Sequence, residues 1–256
     1  MARHVIEVRG LTKTYSPHRA PVRALDRVSF TVDEGQFVTL VGPSGGGKST
    51  LLLILAGLVE STTGEVWVDG EQVRGPGPEK IGIVFQDAPL LPWKTALANV
   101  EFPLDLRHVP RGVRRERALA LLEMVGLQDF ADRYPHELSG GMRQRVAIAR
   151  GLVQDPRIVL MDEPFGALDE QTRTKMGQEL LRIWEKTRKT IFFITHSLTE
   201  AIYLSDVVLV MSPRPGRILD VMPVDLPRPR RFEMMGSEAF GQARNRIWKL
   251  ITEGEG

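Results

Sequence analysis

Apolar residues along this chain recur in two rhythms. Ile6–Val8, Val28–Val32, Phe37–Val41, Glu65–Val68 and Ile81–Phe85 are short runs, alternating or continuously apolar, bounded by turn pairs such as Glu34-Gly35 and Asp69-Gly70. They predict a succession of strands. From about Pro89 to Val153 the rhythm changes. Ala118, Leu121, Leu122 and Val125 fall at i, i+3, i+4 and i+7, with Gly126 placed as a C-terminal cap. Met142, Val146, Ala149 and Val153 form a second helical stripe after Ser139-Gly140-Gly141. Strand-like runs return at Ile158–Met161, Ile191–Thr195 and Val207–Met211, with helical spacing between them at Met176, Leu180, Ile183 and Trp184. The order predicts a parallel-sheet α/β core interrupted by a helical insertion. Pro213 to Arg231, rich in Pro, Arg and Gly, reads as a linker ahead of an amphipathic helix near Ala239–Ile251. Trp67, Trp184 and Phe192-Phe193 read as core.

Composition narrows the classes. The 256 residues contain no Cys, which excludes disulfides, a thiolate metal site and a Cys nucleophile, and fits a reducing cytoplasm. Leu51–Val59, the longest apolar run near the start, is about half of the roughly 18–20 residues that a spanning helix needs. The first residues enter alternation at once, without the apolar centre or cleavage site of a signal peptide. Membrane-embedded, disulfide-rich secreted and disordered classes are thereby set aside. The pI near 9.0 rests on a net charge of only +2, so a general nucleic-acid coat is not implied.

Gly42-Pro43-Ser44-Gly45-Gly46-Gly47-Lys48-Ser49-Thr50 matches G-x-x-x-x-G-K-[ST] between an apolar strand and an apolar helix over Thr50–Ala56. Glycines allow backbone N–H groups to curl around an anion, and the helix N-terminus adds partial positive charge. Lys48 is placed to reach β- and γ-phosphates, and the Ser49 hydroxyl to ligate Mg²⁺. Asp162 and Glu163 emerge from the apolar run Ile158–Met161, at the strand end where open α/β sheets bind ligands. They can divide the work, Asp162 holding Mg²⁺ and Glu163 polarising an attacking water. Leu138-Ser139-Gly140-Gly141-Met142-Arg143-Gln144-Arg145 is a second helix start with glycine N–H groups, hence a second anion cradle. It lies far from Lys48, across the insertion. Two molecules arranged head to tail bring one cradle of each to a shared nucleotide, an isologous dimer with two sites.

With these motifs in this order, the chain resembles the ATP-binding subunits of ABC transporters over essentially residues 5–225. The resemblance implies a P-loop NTPase core, mostly a parallel sheet with an N-terminal antiparallel β region, plus a helical subdomain insertion. The expected limits are 1–88 with 154–225 for the core, 89–153 for the helical subdomain and 226–256 for a C-terminal linker and helix. It also implies roles for further residues: Gln86 as sensor of Mg²⁺ and the lytic water, Asp169 in the stretch Ala167-Leu168-Asp169 at the nucleotide interface, His196 on the γ-phosphate, and Tyr15 stacked on adenine. Gly46, where relatives often carry Cys or Ser, and Gly166, where many carry Ser, depart from the family pattern.

Pro89-Leu90-Leu91-Pro92-Trp93-Lys94-Thr95, Phe165 to Arg173 and Ser212 to Ile218 resemble the nitrate, sulfonate and taurine importer group. Relatives handling pyrimidine vitamin precursors or aromatic acids share this wording. The resemblance implies ATP and Mg²⁺, a membrane permease partner, a solute-binding protein acting through that permease, and a place on the cytoplasmic face of the membrane. Pro89–Trp93 reads either as a stiff ledge for the permease or, through Trp93, as packing inside the insertion's own core. The arginines at 107, 111, 114, 115 and 117 read as a solvated helix start, and Arg228-Pro229-Arg230-Arg231 as linker. A rival class, a soluble ABC ATPase acting on nucleic acid, usually carries a long coiled-coil insertion or two modules per chain. This chain has one module, a short insertion and no strong basic groove, so no nucleic-acid partner is expected.

Overall fold

The computed structural model describes residues 3–16, 20–77, 79–86, 89–166 and 168–253, and the chain divides into two compact units, 1–77 with 190–256 and 78–189. The first opens with β1 (His4–Tyr15), β2 (Val22–Asp33), β3 (Phe37–Val41), α1 (Lys48–Leu55), β4 (Thr63–Val68) and the short β5 (Glu71–Gln72). The second contains β6 (Ile81–Val84), α2 (Ala96–Leu106), α3 (Arg111–Met124), α4 (Gly140–Leu152), β7 (Ile158–Asp162) and α5 (Glu170–Thr187). The chain then returns to the first with β8 (Thr190–Thr195), α6 (Leu198–Leu204), β9 (Val207–Met211), β10 (Ile218–Pro223) and α7 (Glu238–Glu253).

In the first unit β2, β1, β4 and β5 form an antiparallel sheet in that order. Val28, Phe30 and Val32 of β2 are buried while Arg27, Ser29 and Thr31 are exposed, the alternation of a strand with one wet face. Its second sheet runs β10-β9-β3-β8. Strand β3 is parallel to both β8 and β9, and every residue of β3 and β8 is buried, as central parallel strands require. Phe30 stacks on Phe192 at 5.7 Å, joining the two layers through one core. In the second unit β6 and β7 pair in parallel beside the helices.

The α/β class, the antiparallel N-terminal region and the parallel core match the expectation. Three readings change. Trp67 is only half-buried, its indole flanked by Arg9 at 5.7 Å and donating to Glu65 at 3.1 Å. The stretch 213–231 is not a plain linker, because β10 lies inside it, antiparallel to β9. Arg230, 8 % exposed, donates to the carbonyls of Ser205 (2.6 Å) and Leu226, while Arg228 bonds Leu204 O and the Asp206 carboxylate. Burial pulls the Arg230 pKa down to about 10. Asp206 also accepts the Phe37 N–H at 2.9 Å, so the C-terminal segment is tied to the start of β3.

Candidate functional site

In the first unit, β3 delivers the chain into 42–47 and α1 leaves it. Gly47 precedes the helix at φ +92°, where a Cβ would lie 2.7 Å from Ala24 O, so only glycine fits. Lys48 is 5 % exposed, and its Nζ donates to the carbonyls of Gly42 (3.0 Å) and Pro43 (2.9 Å). The ammonium is thus held inside the loop by the loop's own backbone. The N–H of Gly46 donates to Pro43 O at 3.3 Å, closing the curl, while Ser44, Gly45 and Ser49 are exposed and Thr50 is half-buried. This arrangement is suited to an anion, offering charge and main-chain donors together.

Tyr15 ends β1, 39 % exposed, with its hydroxyl 3.5 Å from Thr50 Oγ1 on α1 and Lys13 Nζ 4.9 Å from its ring centre. The sheet thereby brings an exposed aromatic ring to the phosphate-loop helix. Val41 pairs in register with Thr195, so Gly42 and the exposed His196 leave adjacent strands at the same end. Thr195 itself is fixed by donating to Glu200 at 2.5 Å.

In the second unit, Val84 pairs in register with Met161, which sets Gln86 and the Asp162-Glu163 pair at the same end of neighbouring strands. Glu163 is half-buried at φ +43°, an uncommon backbone state for a non-glycine residue. The Gly166 N–H donates to Glu163 O at 3.0 Å, and fully buried Phe165 anchors that turn. Gln86 lies against it: a Cβ at Gly166 would be 3.1 Å from Gln86 Nε2. Sequence order therefore becomes proximity for Gln86 and Glu163.

Ser139 caps α4, accepting the Met142 N–H at 3.3 Å. Its hydroxyl acts as acceptor there, leaving its own proton to donate outward. Asp169 caps α5, accepting both the hydroxyl (2.7 Å) and the N–H (3.0 Å) of Thr172. The Thr172 hydroxyl, then its N–H, hold the Asp169 carboxyl below the usual carboxylate range. Gly140 and Gly141 face Leu168 and Thr172, so the two helix starts are neighbours. Ala167 lies outside the described residues. Ser49 in the first unit offers a hydroxyl, and Gln86 and Asp162 in the second offer an amide carbonyl and a carboxylate, each an oxygen donor of the kind that Mg²⁺ takes.

Sequence reasoning missed Asn99. Fully buried on α2, it accepts the Leu91 N–H at 2.7 Å and donates to the carbonyls of Leu91, Lys94 and Thr95. Arg150 on α4 donates to Pro89 O at 2.9 Å. Together they fix the loop that presents Trp93, which is 70 % exposed and not packed into the helical core. A lone Asn inside an apolar helical stretch gives no local signal of this clamp.

Comparison with known proteins agrees with this geometry. A family model described as "ABC transporter" matches residues 25–166. An uncharacterized ABC transporter ATP-binding protein of Methanocaldococcus jannaschii is 53% identical over 248 residues, 97% of this chain and 91% of that protein. The taurine import ATP-binding protein TauB of Rhizobium johnstonii is 50% identical over 241 residues, 91% of each chain. A solved ATP-binding cassette, a dimer in a post-hydrolysis state bound to ADP and Pi, superposes with a TM-score of 0.76 at 36% identity, covering 87% of this chain and 100% of that one.

Proposed function

Since the chain belongs to the ABC transporter family and is an ABC-type ATPase, we propose that it powers import of a small sulfonate-like solute through a membrane permease. It works as a head-to-tail dimer on the cytoplasmic face of the membrane. The taurine-importing relative supports the solute class, and the dimeric solved cassette supports the assembly. Among the described residues no helix is long and apolar enough to cross a membrane, so the permease supplies the path. Residues 1–88 with 154–225 form the ATP-binding core, 89–153 the helical subdomain and 226–256 the C-terminal linker and helix.

The observation that carries the reading is Lys48, buried and held by Gly42 O and Pro43 O at the mouth of α1. When ATP binds, Lys48 and the loop 42–50, through the N–H groups of its residues other than Pro43, hold the β- and γ-phosphates, and Tyr15 stacks on the base. Ser49, Gln86 and Asp162 would hold Mg²⁺, which would supply neutralisation of phosphate charge. Glu163 accepts a proton from the attacking water, and His196 donates to the γ-phosphate. Ser139, Gly140, Gly141 and Asp169 of a second copy complete the site. In that copy the Ser139 hydroxyl proton and the helix start meet the same phosphate.

Glu163→Gln removes the base but keeps size and the turn to Gly166. ATP binding persists, turnover falls by roughly 10²–10⁴, and an ATP-bound dimer accumulates on size exclusion. Normal hydrolysis by this variant refutes the base assignment. Uptake assays against taurine, other sulfonates, nitrate and pyrimidines test the solute class separately, and stimulation only by a pyrimidine overturns it.

A further inference from the structure

The phosphate loop has a built support behind it. The connection Ser212–Arg217, between β9 and β10, is closed by its own bonds: Ser212 N–H to Arg217 O (3.0 Å), Arg217 N–H to Ser212 Oγ (3.0 Å), and the Ser212 hydroxyl to Pro213 O (2.8 Å). It is stitched to β2 by Asp26 N–H to Gly216 O and Gly216 N–H to Ala24 O, both 2.9 Å. Asp26, 5 % exposed, receives Arg217 Nε at 2.7 Å and forms a second ion pair with Arg23. Burial opposes ionisation of Asp26. The bonded Arg217, with Arg23 and Arg27 nearby, prevails and holds the carboxyl below the usual carboxylate range.

These residues press on the phosphate loop main chain to main chain. A Cβ at Gly216 would stand 2.1 Å from Gly46 O, one at Gly46 2.8 Å from Ser212 O, and one at Gly42 2.6 Å from Met211 O. A glycine-rich cradle has the most conformational freedom to lose, and an anion cradle works by donors already aimed. Something must hold it. We propose that Asp26 and Arg217 are positioning residues which, through Gly216, brace the backbone of Gly46 and Gly47 for nucleotide phosphates. Neither touches the nucleotide. The proposal rests on the reading of 42–50 as the phosphate site.

The test uses the full chain with Asp26→Asn, with Arg217→Met at an exposed side chain should the first fail to fold, and with Arg217→Lys as the charge-keeping control. Amide hydrogen exchange is followed at 44–48 without nucleotide, and ATP and AMP are titrated. Asp26→Asn and Arg217→Met are expected to speed exchange at 44–48 and to weaken ATP by roughly tenfold, the size that loss of a supporting shell typically takes. AMP, which lacks the β- and γ-phosphates, binds as before, and amides of β3 and β8 stay protected. Arg217→Lys lies between these variants and the wild type. Unchanged exchange at 44–48 overturns the brace. Faster exchange with unchanged ATP affinity overturns its positioning role, as does an equal loss of AMP. Lys48→Ala serves as reference: if it binds ATP as tightly as the wild type, the phosphate-loop reading fails, and exchange alone judges the brace.

Discussion

Trp93→Ala separates the stability of the subunit from its assembly. A Trp side chain carries about 150–250 Å² of surface, and at 70 % exposure roughly 100–175 Å² of it remains for a partner to cover. At ~25 cal/mol per Å² that area is worth about 3–4 kcal/mol, a factor of roughly 10²–10³ in affinity. The part already covered within the subunit is worth about 1–2 kcal/mol on the same scale. Asn99 and Arg150 hold the loop in place, so a permease docking on Trp93 would meet a preformed ledge and little ordering cost would offset the gain. The isolated variant is therefore expected to melt within a few degrees of the wild type and to bind ATP equally. Its retention on permease in detergent weakens by the larger factor. Titration of permease-bearing micelles with labelled subunit measures this directly. Unchanged assembly, or a collapse in melting temperature with assembly otherwise normal, refutes the ledge.

Gly47→Ala places a side chain at φ +92° against Ala24 O; we expect a strain of about 1–3 kcal/mol and loss of ATP binding, read by thermal melts with and without nucleotide. Arg230→Ala leaves the Ser205 and Leu226 carbonyls without their donor, and urea unfolding is expected to show a loss of about 1–3 kcal/mol. Glu137, held low first by the Tyr134 N–H and then by Arg133, joins Asp26 and Asp169 among carboxyls below their ordinary values of 4.5 or 3.8. A depressed carboxyl stabilises fully above its ordinary value and ceases to as pH falls through the folded one. Melting temperature should therefore hold from pH 7 to about 5 and drop below about 4; a drop already centred above pH 5 contradicts this.

The parts legible in the sequence are those whose signal is local. Phe37–Val41 followed by the glycine loop and an apolar helix is such a case, and so is Ser139 ahead of the Met142 stripe. Strand β1 is legible only at Ile6–Val8, because Leu11 is the one apolar residue between Arg9 and Thr14, and that half is held by antiparallel pairing to β2 around it. Helix α2 was obscured by Pro103 within it, although Thr95 supplies an ordinary N-cap. Prolines at 213, 215 and 223 disguised β10. Gly46 stood out only as a departure from a pattern, and its cause, the Ser212 carbonyl beside it, comes from another part of the chain. Asp26 and Arg217 are 191 residues apart, and Phe37 and Asp206 are 169 apart. No window of sequence contains both partners.

The pairing of β3 with β8 and β9 has a consequence for synthesis. Phe37 registers with Ile191, and Val38 with Val207, so the strand that carries the phosphate loop leaves the ribosome roughly 150 residues before its neighbours. At about 5–20 residues per second that interval is on the order of 10–30 s. The 78–189 unit is translated whole within it, with both strands of its own β6–β7 pair already present. A nascent chain stalled before Ile191 therefore exposes an apolar Phe37–Val41 with no parallel partner, a segment that a holdase would bind. The nucleotide pocket is among the last features of this molecule to form, although its signature is among the first to be translated.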